Sequence, residues 1–164
     1  MSRQSSSPLS TELAGVSPPL PHVQYQSEQD CLAIRHPNCH PKYVRIDDYL
    51  TMHRDPKTNS LIGFRITEAR TVILRLRRSI IFGAQGAPLE QCLAVAKGLS
   101  LEIAKSDGRG TGTIMSSYDE VLRFAKGVYV SPEELAKMVK PSSHPAASLT
   151  PQVPPVIPTT QVQP

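Results

Sequence analysis

From Val23 to Ile66 the apolar side chains recur at every second position, and beyond Ile66 at every third or fourth. That change of period constrains the chain more than any motif in it. Leu32 and Ile34 alternate with Ala33 and Arg35, Val44 and Ile46 with Tyr43 and Arg45, and Leu50 and Met52 with Thr51 and His53. Ile62, Phe64 and Ile66 alternate in turn with Gly63 and Arg65. A two-residue period places one set of side chains on a single face of a strand. Four such runs predict a four-stranded antiparallel β-meander over about 31–66, packed through its apolar face.

The connections follow from what the pattern forbids. A straight strand over 44–52 would point Asp48 into the core beside Ile46 and Leu50, and an unpaired buried carboxylate costs too much. A tight turn or bulge therefore belongs at Asp47-Asp48. Asp55-Pro56-Lys57-Thr58-Asn59-Ser60 is a second turn, with Pro where a type I turn wants it and Asn suited to the left-handed region. "RHPNCHPK" (35–42) holds two prolines and reads as an irregular loop. Gly63 falls on the outer face, opposite Ile62 and Phe64, where it lets a neighbouring segment approach or the strand bend.

After Ile66 the period is helical. Thr67 can cap a helix to about residue 80, with Ile73, Leu76 and Ile80 on one side and Arg70 and Arg77 on another. The β-branched run Thr71-Val72-Ile73 leaves a fifth strand as the alternative. "GAQGAP" ends this element, and a second helix from Pro88 to Lys105 carries the stripe Leu89, Cys92, Leu93, Ala96, Leu99 and Ile103, with a kink or break expected at Gly98. Two capping boxes follow: Ser117-Tyr118-Asp119-Glu120 opens a helix through Lys126, and Ser131-Pro132-Glu133-Glu134 opens another through Val139. The fold class is α+β, a meander followed by four helices, one of them covering the apolar sheet face.

Proline sets the boundaries. Eleven of the sixteen prolines lie in 1–21 and 141–164, and neither stretch has the apolar content to offset its ordering entropy. Both are expected to be disordered tails, with 22–140 a single α+β domain split into a β part (22–66) and a helical part (67–140). The last stretch, "PQVPPVIPTTQVQP", has no P-x-x-P flanked by a basic residue; a polyproline ligand and a solvated tail are the two readings. No apolar run approaches a membrane span, no signal-peptide pattern opens the chain, and three irregularly spaced cysteines argue for reduced thiols and a cytoplasmic address.

"VQYQSEQDCLAIR", "VRIDDYLTMHRD" and "LIGFRI" together resemble the bacterial family known as domain of unknown function 2283. Tyr25, Asp30, Leu32, Ile34, Asp55, Gly63, Phe64 and Ile66 stand at that family's pattern positions. Ala33 replaces its common tyrosine, and Arg65 its common acidic residue in the closing strand. The resemblance covers 23–66 and implies a small β module in a bacterial setting, with no activity attached.

Chemistry-bearing clusters are sparse. His36, Cys39 and His40, with His22 and His53, could supply zinc ligands, but no second half with finger-like spacing exists, so no metal is expected. "SDGRGTGT" (106–113) lacks the G-K-[ST] ending of a phosphate cradle and reads as an interhelix loop. No acid–base pair or nucleophile stands out, so neither an enzyme nor a cofactor is expected, and Cys92 sits on an apolar stripe as a core thiol.

Charge is concentrated in one place. The net +4 is matched by residues 65–80 alone, which hold five arginines against Glu68. Arg70, Arg75, Arg77 and Arg78 could contact phosphates or an acidic partner; a solvated face pairing with Glu68 or Glu102 is the competing reading. "RFAKGVYVSPEELAKMV" (within 122–139) resembles the helix-turn-helix pattern of bacterial regulators, although Tyr129 takes the turn glycine's place and two glutamates open the second helix. A capped αα-hairpin is the other reading. The expectation is a non-catalytic binding module acting through protein contacts, the alternative a nucleic-acid-binding regulator or antitoxin-like protein using 65–78. No membrane partner is expected, and strand edges offer a route to homo-oligomers.

Overall fold

The computed structural model describes residues 21–35 and 39–139. The tails beyond, with the disorder expected of them, and His36 of the candidate metal cluster lie outside the described residues.

Five strands form one antiparallel sheet: β1 (His22–Gln26), β2 (Cys31–Arg35), β3 (Lys42–Arg45), β4 (Leu50–Arg54) and β5 (Leu61–Thr67). Their spatial order is β1-β2-β5-β4-β3. This corrects the four-stranded meander twice. Val23 and Tyr25 belong to a strand of their own, paired with Ile34 and Leu32. After β2 the chain crosses to the far edge and winds back, so that β5 pairs with both β2 and β4. That crossing lies between Arg35, the last residue of β2, and Lys42, the first of β3.

Both turns read from the sequence are present. Asp47 Oδ1 accepts the amides of Tyr49 and Leu50 at 2.7 and 2.8 Å, which bends the chain between β3 and β4 and keeps Asp48 outside. Asp55 Oδ1 accepts from Lys57 and Thr58 at 2.7 and 2.9 Å, while Asn59 takes the left-handed conformation at φ 59°. Those amides hold the Asp55 carboxyl below the usual carboxylate range. A register shift between His53 and Arg54 lies opposite Gly63. A Cβ at Gly63 would run into the Ile34 carbonyl oxygen, so a β2 carbonyl occupies the space a side chain would take.

Four helices follow: α1 (Ala69–Arg77), α2 (Leu89–Ser106), α3 (Gly112–Phe124) and α4 (Pro132–Val139). Segment 69–77 is helix, which removes the fifth-strand alternative at Thr71-Val72-Ile73. Thr67 does not cap it; it ends β5, and Glu68 turns the chain with φ 53°. The cap comes from the β1–β2 turn: the Asp30 carbonyl accepts from Ala69 N at 3.0 Å, and Asp30 Oδ1 from Arg70 N at 3.2 Å. A carboxylate there also suits the positive end of the helix. Helix α2 runs through Gly98 without a break. Helix α3 starts at Gly112, five residues before the expected Ser117, which is buried inside it. Ser131 does cap α4, its Oγ accepting from Glu134 N at 3.3 Å.

A short ladder pairs β6 (Ala87–Pro88) with β7 (Tyr129–Val130), so strand separates α3 from α4 and no continuous αα-hairpin forms. Helix α1 packs on β2, α3 on β5, and α2 on both α1 and α3. The core is continuous: Leu32, Ile34, Leu50, Met52, Phe64 and Ile66 from the sheet meet Val72, Leu93, Tyr118 and Val121 from the helices. Each such fully buried side chain contributes roughly 1.5–3 kcal/mol relative to exposure.

Helix α4 lies against β1. Glu134 does not reach back to its cap as the capping box predicts; its Oε2 accepts the outward amide of Tyr25 at 2.7 Å, and its Oε1 takes Lys137 Nζ at 2.6 Å. One sheet edge is thereby closed by a side-chain carboxylate. The other edge is β3, with Lys42, Tyr43 and Arg45 exposed.

Candidate binding surface

Helix α1 buries Ala69, Val72, Ile73 and Leu76. The face left outside carries Thr71, Leu74, Arg75 and Arg78, at helical spacings of three and four. Leu74 is 59% exposed although it sits in mid-helix, between the buried Ile73 and the exposed Arg75. The chain leaving α1 continues the surface: Ile81 is 98% exposed, and Tyr129 of β7 is 42% exposed. Between them lies an open groove of about 450 Å³, lined by Ile81, Phe82, Gln85, Pro88, Gln91 and Tyr129. The Arg77 guanidinium stands over the Phe82 ring, 5.7 Å from its centroid.

The four arginines singled out from the sequence divide. Arg70 is turned inward: its Nε donates to the Tyr25 hydroxyl at 2.9 Å and stands 3.9 Å from Asp30 Oδ1. Burial first, then the Asp30 carboxylate, push the Tyr25 hydroxyl above the ordinary tyrosine range. Arg70 thus ties α1 to the β1–β2 hairpin. Arg75, Arg77 and Arg78 gather exposed at the C-terminal end of α1, where cations suit the helix dipole. None of the three is in a salt bridge among the described residues, so the expected pairing with Glu68 or Glu102 is not formed. Arg65, the fifth arginine of the segment, lies on the sheet between Ala33 and Thr51 and donates to Gln29 Oε1 at 3.1 Å.

Sequence reading missed the apolar half of this surface. Leu74 falls between the two helical stripes, and Ile81 follows the helix with no period to place it. The one available signal was Ile80-Ile81-Phe82 immediately before a glycine turn, too apolar for a simple connector.

The remaining chemical clusters take on structural roles. Cys92 is buried, and burial pushes its thiol up to about 12, far from thiolate chemistry at neutral pH. Ser100 Oγ and Tyr118 Oη lie 3.2 Å apart beneath the sheet, with Tyr118 Oη also 3.4 Å from Asp47 Oδ1. Burial drives the Tyr118 hydroxyl well above the tyrosine range, so it acts as a hydrogen-bond donor linking α3 to the β3–β4 turn. No group of three His, Cys, Asp or Glu side chains suited to a metal occurs among the described residues. Helix α4, where the helix-turn-helix pattern puts its recognition helix, is docked on β1 with Glu134, Leu135 and Met138 buried. No helix among the described residues is long and apolar enough to cross a membrane.

No protein-family model, curated protein or solved structure matches the chain.

Proposed function

We propose that the chain is a non-catalytic binding module that engages a protein partner through the outer face of α1 and the segment after it. The occupant that suits this surface is an acidic, apolar-bearing segment of another protein. The observation that carries the reading is the exposure of Leu74 and Ile81 beside Arg75, Arg77 and Arg78. An apolar residue exposed singly needs no explanation, but two large ones set among cations with no salt bridge among the described residues make a surface with both an anchor and a charge preference.

Nucleic acid is the second reading, favoured by the same three exposed arginines, none of them in a salt bridge among the described residues. Phosphate contacts need the charges and not Leu74 or Ile81, which separates the two readings. A random-peptide library selected on the full chain, and counter-selected on L74E/I81E, should enrich sequences combining Asp or Glu with Leu, Ile or Phe. Enrichment without acidic residues, or enrichment equal on both baits, would overturn the protein-contact reading. Retention of a 20-mer duplex that falls steeply between 50 and 200 mM salt, survives L74E/I81E and vanishes in R75A/R77A/R78A would establish the alternative.

A further inference from the structure

The groove beside α1 has the features of a site for an extended proline-rich segment, and the chain carries such a segment. Phe82 and Tyr129 supply aromatic surface, Pro88 adds an apolar ring, and Gln85, Gln91 and the tyrosine hydroxyl supply hydrogen-bond donors. Left-handed polyproline helices bind aromatic-lined grooves of this kind, because their backbone carbonyls are free and little ordering entropy remains to be lost. We propose that residues 151–158, PQVPPVIP, dock intramolecularly in the Phe82–Tyr129 groove.

Two properties of that segment match the groove. A polyproline helix has three residues per turn, so docking in that form would set Pro151, Pro154 and Ile157 on one ridge and Pro155 and Pro158 on a second. Two adjacent apolar ridges are what an aromatic groove receives. Residues 141–164 contain no Asp, Glu, Lys or Arg, and the groove's rim carries Arg77. A ligand with its own basic residue would be repelled there; an uncharged one is not.

The tether reaches. Tyr129 lines the groove, α4 begins at Pro132 and its eight residues rise about 12 Å, which leaves Val139 within roughly 25 Å of Tyr129. A chain the length of residues 140–150 can span at most about 40 Å. A tether of this length holds its ligand at an effective concentration in the millimolar range, enough to close a site of submillimolar intrinsic affinity. The docked segment would cover Ile81 and Tyr129, and Ile81 belongs to the proposed partner surface, so it would compete with a partner there. The docking itself stands on the groove alone and survives even if no partner uses α1.

The test compares amide spectra of the full chain with those of full-chain P151S/P154S/P155S/P158S. Docking predicts shifts confined to residues 80–91 and 128–130, restored when a synthetic peptide of residues 149–164 is titrated into the variant. Y129A introduced into that variant should weaken the peptide about tenfold, and Y129F, which keeps the ring and loses only the hydroxyl donor, by less. Spectra that coincide across those residues would overturn the proposal. So would shifts that depend on protein concentration, which place the segment on a second copy, or shifts reproduced by P18S/P19S in its place.

Discussion

Gly63 and Gly98 show how little a residue type means without its surroundings. Gly63 gives up its side-chain space to the Ile34 carbonyl oxygen, and that atom belongs to a strand held on both sides. G63A must push two strands apart and is expected to cost about 2 kcal/mol. Gly98 lies exposed in the middle of α2 with nothing within 4 Å of the Cβ it lacks. G98A is expected to stabilise by about 0.5–1 kcal/mol, since alanine loses less backbone entropy in a helix. Urea midpoints of the two variants should move in opposite directions; a shared direction would contradict the assigned surroundings. Glu134 makes the same point with charge. Burial alone would raise its pKa, but hydrogen bonds from Lys137 and from Tyr25 N outweigh it and hold the carboxyl below the ordinary value of 4.5. A folded-state pKa below the unfolded one contributes stability that is present above pH 4.5 and is lost as pH falls through the lowered folded value. E134Q retains an acceptor for Tyr25 N and has no proton to take up. Its urea midpoint should therefore fall less than the parent's between pH 6 and pH 3, and equal losses would show that the carboxylate does not carry the effect.

Elements were legible where their signals are local. The Asp55–Ser60 turn, the bend at Asp47 and the Ser131 cap all act within three or four residues of themselves, and each forms as expected. The capping pattern at Ser117 failed because an equally good helix continuation lay upstream: Gly112 to Ser116 extend the same apolar face through Ile114. Composition cannot choose between a serine that starts a helix and one buried inside it. The cap of α1 was illegible for a different reason, since Asp30 reaches Arg70 N across forty positions. S131A and S117A separate the two capping motifs by experiment. S131A removes the acceptor for Glu134 N and should cost about 1 kcal/mol. S117A removes no cap and should stay within about 0.5 kcal/mol of the parent. Thermal melts of both would settle it, and a comparable loss in S117A would restore the helix start at 117. The candidate surface divides along the same line. Its arginines were visible in composition, whereas Leu74 and Ile81 became candidates only once the packing of α1 fixed which face is outside.

At the scale of the molecule, strand order was beyond any local reading. A two-residue period identifies a strand and its buried face but says nothing about which neighbour it takes, and β2 passes over β3 and β4 to pair with β5. That choice places the first and last elements side by side: Glu134 of α4 accepts the Tyr25 amide of β1 across 109 positions. Further ties stitch the layers between, including the paired contacts of Arg54 with Glu120 at 3.0 and 2.6 Å and the Phe64–Phe124 rings at 6.1 Å. With the apolar core also continuous from sheet to helices, α4 cannot leave without exposing an unpaired strand edge. The described residues should therefore unfold in one step. L135A tests this at the place most prone to independent fraying, because Leu135 is buried in a helix of only eight residues. The truncation should cost about 2–3 kcal/mol. If the chain is one cooperative unit, the far-UV signal of the backbone and the near-UV signal of the fully buried Tyr118 will shift to lower urea by the same amount. Amide protection in β1, against which α4 packs, will fall together with that in α3. An α4 that frays alone would leave the Tyr118 transition where it was and expose β1 by itself. The sheet edge would then be held by the Glu134–Tyr25 contact and not by the fold as a whole.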